Sequence, residues 1–204
     1  MSFQWLIDNA ESISIDSRPV VATSQSRGGV IRSVSRGGAV WQFSVRLPDG
    51  PRWSQIRSDI AGIEALGRTT SAPIKFSGSG QEWITPYMGS AVTPANLRAT
   101  VPATGNTITL TSGQAVTGYN FRAGDIIQLG TVGAVYRVTA DVPAGTNTVS
   151  LHRPLQQPAA TNVAVLTGSA VTWQVRCVQQ PLWTLFARDQ VSWSGDFVLI
   201  EDYL

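Results

Sequence analysis

Among 204 residues there is one Cys (Cys177), one His (His152) and one Lys (Lys75), and charged side chains make up only 14%, against about a quarter in an ordinary soluble domain. One Cys excludes an intrachain disulfide framework. Cys177 sits in an alternating apolar segment, where a thiol acts as a small buried hydrophobe. A lone His and a lone Cys leave no His/Cys metal cluster, and the scattered Asp residues form no acidic calcium loop. Any Ser-His-Asp or Cys-His nucleophile would have to use His152, which stands between Leu151 and Arg153 at the end of an expected strand with no supporting motif. The glycine pairs Gly28-Gly29 and Gly37-Gly38, and Gly78-Ser79-Gly80, lack the strand–loop–helix context and the Lys of a phosphate loop. A carboxylate pair for glycoside cleavage would have to come from Asp8, Glu11, Asp16, Glu64, Glu82 or the C-terminal acids, which read as solvated strand faces or turns. The expectation is a non-catalytic protein with no cofactor and no metal.

The charge balance is equally uninformative about phosphate. Fifteen cations against thirteen anions give +2, and the pI near 9.0 reports a small Arg surplus. Residues 1–85 carry nine cations and seven anions, 86–167 four and two, and 168–204 two and four. No part has the clustered field that nucleic-acid binding requires, so nucleic acid is excluded as a partner. No run approaches the roughly 20 apolar residues of a membrane span. The start, Met1 to Asp8, lacks a cationic region and an apolar signal core. Synthesis in the cytoplasm and no membrane insertion are expected.

What is present is unevenly spread. All seven Trp (5, 41, 53, 83, 173, 183 and 193) lie outside 86–167, while that window holds thirteen of the nineteen Thr and only six charges: Arg98, Arg122, Arg137, Arg153, Asp125 and Asp141. A module inserted into a Trp-rich host leaves such a contrast. The organisation read from it is a host β domain in two parts, 1–85 and 168–204, around an insertion at 86–167.

The host reads as strands. Ser12 to Asp16 alternates with period two, and Trp41, Phe43, Val45 and Leu47 share one face against Gln42, Ser44 and Arg46. Between them a weaker alternation, Val30 to Ser35, is bracketed by the two Arg-Gly-Gly copies, whose paired glycines are expected at hairpin tips of a meander. One amphipathic helix is expected at about 51–66: Pro51 suits a first helical turn, Trp53, Ile56, Ile60, Ile63 and Leu66 form one apolar face, and Gly67 closes it. Arg52, Arg57, Asp59 and Glu64 face outward. After the insertion, Val171 to Val178 alternates, and Val191-Ser192-Trp193 with Phe197 to Ile200 reads as a final hairpin. The fold class is mainly β, a sandwich or meander host.

The insertion is all short strands: Asn106 to Leu110, Ile126 to Gly130, Ala134 to Thr139, Asn147 to Leu151 and Asn162 to Leu166. Five or six strands at about ten-residue spacing predict a small five-stranded Greek-key barrel of the oligonucleotide/oligosaccharide-binding kind. Tyr87, Tyr119, Phe121 and Tyr136 are its candidate ligand-binding residues, because aromatic faces on a small barrel stack on sugars. Trp41, Trp53 and Trp173 fall on the apolar faces of their own elements, which places them in the core. A non-catalytic carbohydrate-binding module that recognises a cell-surface glycan is therefore one reading.

A second reading comes from a resemblance. Phe121-Arg122-Ala123-Gly124-Asp125-Ile126-Ile127-Gln128-Leu129-Gly130, followed by Val135-Tyr136-Arg137-Val138-Thr139 and a Gly145-Asn147-Val149 hairpin, is similar to the inserted barrel of the distal tail proteins of long-tailed, non-contractile bacteriophages. The wider layout resembles that family too: a strand meander, a Pro51-led helix to Leu66, a Thr-rich insertion and a return to Phe197-Val198-Leu199-Ile200-Glu201-Asp202-Tyr203-Leu204. The resemblance implies a virion protein at the tail tip. Six copies would form a ring between the tail tube protein and the baseplate hub protein, with the barrels projecting outward and no active site. A charge-poor surface suits a permanently occupied interface, and ring closure needs two different patches per subunit.

Overall fold

The computed structural model describes residues 3–17, 19–25, 31–77, 83–89, 96–131 and 133–202, without the side chains of 19–38 and of Thr85. The expected turn at 26–29, glycines 78 and 80, Glu82 and the last two residues lie outside the described residues. The first part runs α1 (Gln4–Asp8), β1 (Ser12–Asp16), β2 (Pro19–Gln25), β3 (Ile31–Ala39), β4 (Gln42–Arg46), α2 (Trp53–Leu66) and β5 (Ala72–Ile74). The middle contributes β6 (Arg98–Val101), β7 (Thr107–Ser112), β8 (Tyr119–Phe121), β9 (Ile126–Leu129), β10 (Val135–Arg137), β11 (Val142–Pro143), β12 (Thr148–Ser150) and β13 (Ala160–Thr167). The chain returns through β14 (Trp173–Gln179), β15 (Trp183–Phe186), β16 (Gln190–Trp193) and β17 (Phe197–Glu201). The molecule is mainly β, and no helix among the described residues is long and apolar enough to cross a membrane.

One core belongs to the five-stranded antiparallel sheet β1-β4-β17-β14-β5. The period-two pattern of the sequence becomes burial here: Trp41, Phe43, Val45 and Leu47 all point inward, as do Val171, Trp173, Val175 and Cys177. Helix α2 adds Ile56, Ile60 and Ile63 to the same core, with Trp53 and Leu66 packed at its margin. Pro51 precedes the helix instead of opening it, because Arg52 is the extended N-cap residue and pairs as an isolated bridge with Gln190. Gly67 ends it at φ +60. A second, five-residue helix, α1, buries Leu6 and Ile7; it is too short for a helical period to register in sequence.

Two strand assignments are corrected. The final hairpin is not formed: β16 pairs with β15, and β17 instead lies between β4 and β14. Alternation marks a strand without choosing its partner, and the 182–186 segment carries no alternation to reveal β15. Gly37 and Gly38 lie inside β3, where the register against β2 shifts between Pro19 and Val21, so this pair occupies a bulged stretch instead of a hairpin tip.

The second core gathers Leu97, Ala99, Ile108, Leu110, Phe121, Ile127, Tyr136, Val149 and their neighbours from 97–165. Its sheet has six strands in the order β10-β9-β13-β6-β7-β12; β6, which enters beside β13, is the one that the alternating segments do not mark. The sheet curls into a half-barrel. Its two outer strands are joined just beyond their ends by the bridge Val138↔Leu151 and by the Thr139 amide donating to the Ser150 carbonyl at 3.0 Å.

Candidate interaction surface

The four aromatic candidates separate into two pairs. Phe121 and Tyr136 are 1% and 0% exposed, so they are core residues and offer no stacking face; this corrects the expectation for both. Phe121 faces inward from β8, and the Tyr136 hydroxyl accepts the Gln156 amide at 2.8 Å inside the molecule. Tyr87 and Tyr119 remain at the surface. Tyr87 borders a cleft of about 460 Å³ together with Pro86, Gly89, Arg122, Asp125 and Arg137. Burial lifts its hydroxyl above the usual phenol range, against the opposing pull of Arg137. The Tyr119 ring lies 3.5 Å beneath the Arg122 guanidinium, which covers one of its two faces.

The 122–125 phrase is a tight turn with a physical reason for each residue. The Asp125 carboxylate accepts the Arg122 amide at 2.8 Å, and Gly124 takes φ +100. The Gly124 amide donates to the Val138 carbonyl, and the Val138 amide returns a bond to the Asp125 carbonyl. Thus the turn and the Val135 to Thr139 stretch, adjacent in the sequence resemblance, are one hydrogen-bonded unit. Asp141 completes it, accepting the Ala123 amide at 2.8 Å, which is the chief reason its carboxyl is held below the ordinary range.

Between the two cores lies a buried ionic junction. Arg153 and Glu201 meet side to side, with Nη1–Oε2 and Nη2–Oε1 both 2.7 Å and the side chains 1% and 2% exposed. Arg153 also donates to the Ala39 and Val135 carbonyls, and Glu201 accepts from the Trp41 and Val135 amides. The Trp41 indole N–H donates to the Val135 carbonyl at 2.8 Å. His152 sits against Trp41 with ring centroids 5.4 Å apart, and its Nδ1 accepts the Arg137 amide at 3.0 Å. Burial, assisted by Arg153 and Arg137, depresses its pKa to about 4. The ring is neutral, with Nδ1 as its hydrogen-bond acceptor.

The surface that stands apart is β15. All four of its residues are exposed, and Leu182, Trp183, Leu185 and Phe186 are 80%, 37%, 50% and 56% accessible. The hairpin is anchored on its other side: β16 buries Val191 and Trp193, the Gly50 amide donates to the Val191 carbonyl, and the Val191 amide donates to Pro51. Trp183 stacks on Trp53 of α2 with centroids 4.4 Å apart and planes at 21°. A groove of about 330 Å³ runs beside it, between Ile60 and Glu64 on one side and Leu182 and Trp183 on the other.

Two signals for these residues were present in the sequence. From Val178 to Ala187 no residue is charged, and apolar side chains occupy both parities around Thr184, so neither face of this strand reads as a polar one. Glu201 falls on the inward parity of β17 with Phe197 and Leu199, and a charge at a core position demands a buried partner. Neither family models nor curated proteins match the chain.

Proposed function

We propose that this chain is a structural virion protein, a distal tail protein whose six copies form a ring connecting the tail tube to the baseplate hub at the tail tip. In this reading the protein is non-catalytic, the 86–167 segment is an inserted, outward-facing barrel of the oligonucleotide/oligosaccharide-binding type, and the chain is made in the host bacterial cytoplasm before assembly. The observation that carries the reading is the uncharged strand β15, all four of whose residues are exposed. Monomeric proteins guard an open strand edge with charge, proline or a bulge, whereas an assembly subunit covers it with a neighbour. The resemblance of the Arg122 to Thr139 phrase supplies the kind of assembly.

The test is native mass. Sedimentation or light scattering is expected to return six times the 21.8 kDa chain mass, with rings in negative stain. A monodisperse monomer at high concentration would sink the reading. A second reading, glycan recognition, is supported by Tyr87 at the rim of the Arg122–Arg137 cleft. Glycan-array binding that is lost in Tyr87→Ala would favour it, and a blank array would remove it.

A further inference from the structure

The cleft bordered by Tyr87 is assembled from separate parts of the chain. The short turn Thr85–Met88 supplies Tyr87, while the 122–125 turn and β10 supply two guanidinium groups, Arg122 and Arg137. Gly89 lets the two sides meet: at φ +133, a Cβ there would stand 2.9 Å from Asp125 Oδ1. The volume of about 460 Å³ falls within the range of sites that hold a small organic ligand.

The charge facing this cleft is one-sided. Arg137 is half-buried, its guanidinium carbon 6.0 Å from the Trp41 ring centroid, and among the described residues it has no ion-pair partner. Arg122 spends one donor on Asp141 at 3.2 Å and lies over Tyr119, so it is held in place with further N–H groups to offer. Asp125, the carboxylate among the described lining residues, is 4% exposed and turned back into its own turn, Oδ2 accepting the Arg122 amide and Oδ1 lying against Gly89. From β1, Asp16 also acts on Tyr87, less strongly than Arg137 does. A half-buried cation without a counter-ion has lost hydration that an anion from outside would replace.

Tyr87 supplies the other half of a site. It is 39% exposed, and burial of its hydroxyl keeps it protonated. A neutral phenol donates a hydrogen bond, and its ring offers a flat apolar face to the C–H face of a sugar.

We infer that this cleft takes an acidic saccharide, its carboxylate or phosphate held by Arg137 and Arg122 and its ring laid on Tyr87. The inference rests on the glycan reading and names the class of glycan. A guanidinium fork matches either oxyanion in two-bond geometry. A neutral sugar would leave Arg137 without a counter-charge. An aromatic wall alone takes sugars of any charge, whereas two cations beside one retracted carboxylate favour the acidic ones.

The experiment prints neutral, uronate-bearing, sialylated and phosphorylated glycans on one array and probes it with the full-length chain. Binding is expected only on the acidic spots, and the spots occupied tell carboxylate from phosphate. Titration then compares the bound sugar with its neutral form, the methyl ester of a uronate or the dephosphorylated sugar of a phosphate. The neutral form is expected to bind at least about tenfold more weakly, and Arg137→Gln and Tyr87→Ala should each lose about tenfold. Affinity should fall as salt rises from about 50 to about 500 mM. Neutral glycans bound as well as acidic ones overturn the charge selection and leave the glycan reading standing. A blank array overturns both. Inorganic phosphate or acetate that binds as tightly as the acidic glycan overturns the saccharide as the ligand. Acid binding unchanged in a folded Arg137→Gln overturns the site. If that variant is unfolded, the comparison of charged and neutral sugars on the wild type and the exposed-site variant Arg122→Gln decide: equal affinities in both overturn the inference.

Discussion

Arg153 and Glu201, 48 residues apart, form a two-bond ion pair, each contact 2.7 Å, at the boundary between the two hydrophobic cores. Water does not reach either side chain, so their mutual attraction is scarcely screened, while each has surrendered its hydration. The pair therefore acts less as added stability than as a constraint. Either residue alone is a charge in the wrong solvent.

Replacing one partner should be far worse than replacing both. Arg153→Met or Glu201→Leu is expected to cost about 3–5 kcal/mol, whereas the double variant should recover most of that. Urea denaturation of the four proteins measures it. Equal costs for the singles and the double would contradict a coupled pair.

Stability should fall on acidification through the His152 window. The folded pKa of about 4 lies below the ordinary 6.5, so the unfolded chain binds the proton first. Stability from this group is complete above about 6.5 and is lost as pH falls toward 4. Melting temperatures across pH 4–7 should slope less steeply in His152→Asn than in the wild type; identical slopes would assign the acid sensitivity to other groups.

Gly113 and Gly118 make a matched pair. Both hold left-handed backbone, at φ +77 and +79, but a Cβ at Gly113 would meet the Asn96 carbonyl at 2.4 Å while one at Gly118 meets nothing within 4 Å. Gly118→Ala should cost about 1 kcal/mol of backbone strain. Gly113→Ala should exceed it by at least about 1 kcal/mol, since backbone must shift to admit the methyl. Thermal unfolding of the two variants reads the difference directly.

Cys177 should be chemically silent in the native protein. It is fully buried, and burial pushes its thiol up to about 11, leaving negligible thiolate at pH 8. A colorimetric disulfide reagent is expected to react only after denaturation. Stoichiometric labelling of the folded chain would show that β14 opens far more readily than its burial implies.

Local chemistry made much of this legible in advance. The alternations Ser12 to Asp16, Trp41 to Leu47 and Val171 to Val178, and the Ile56-Ile60-Ile63 stripe, are consequences of where consecutive side chains point on a strand or helix, so they can be read without neighbours. For Glu201 the signal lies in parity, since it shares the inward face of β17 with Phe197 and Leu199. For β15 there was no period to read, because Leu182, Trp183, Leu185 and Phe186 place apolar side chains on both parities around Thr184.

Composition and periodicity alone determined that the chain is mainly β, that α2 shows one apolar face, and that charged residues are only 14% of the chain. Only the tertiary structure decided that β17 leaves β16 for β4 and β14, that Phe121 and Tyr136 turn inward while Tyr87 stays outside, and that Arg153 finds Glu201. Side-chain direction along one strand is set by the backbone itself. Which strands meet, and which charges are buried together, depends on contacts between residues tens of positions apart, for which a single sequence carries no ruler.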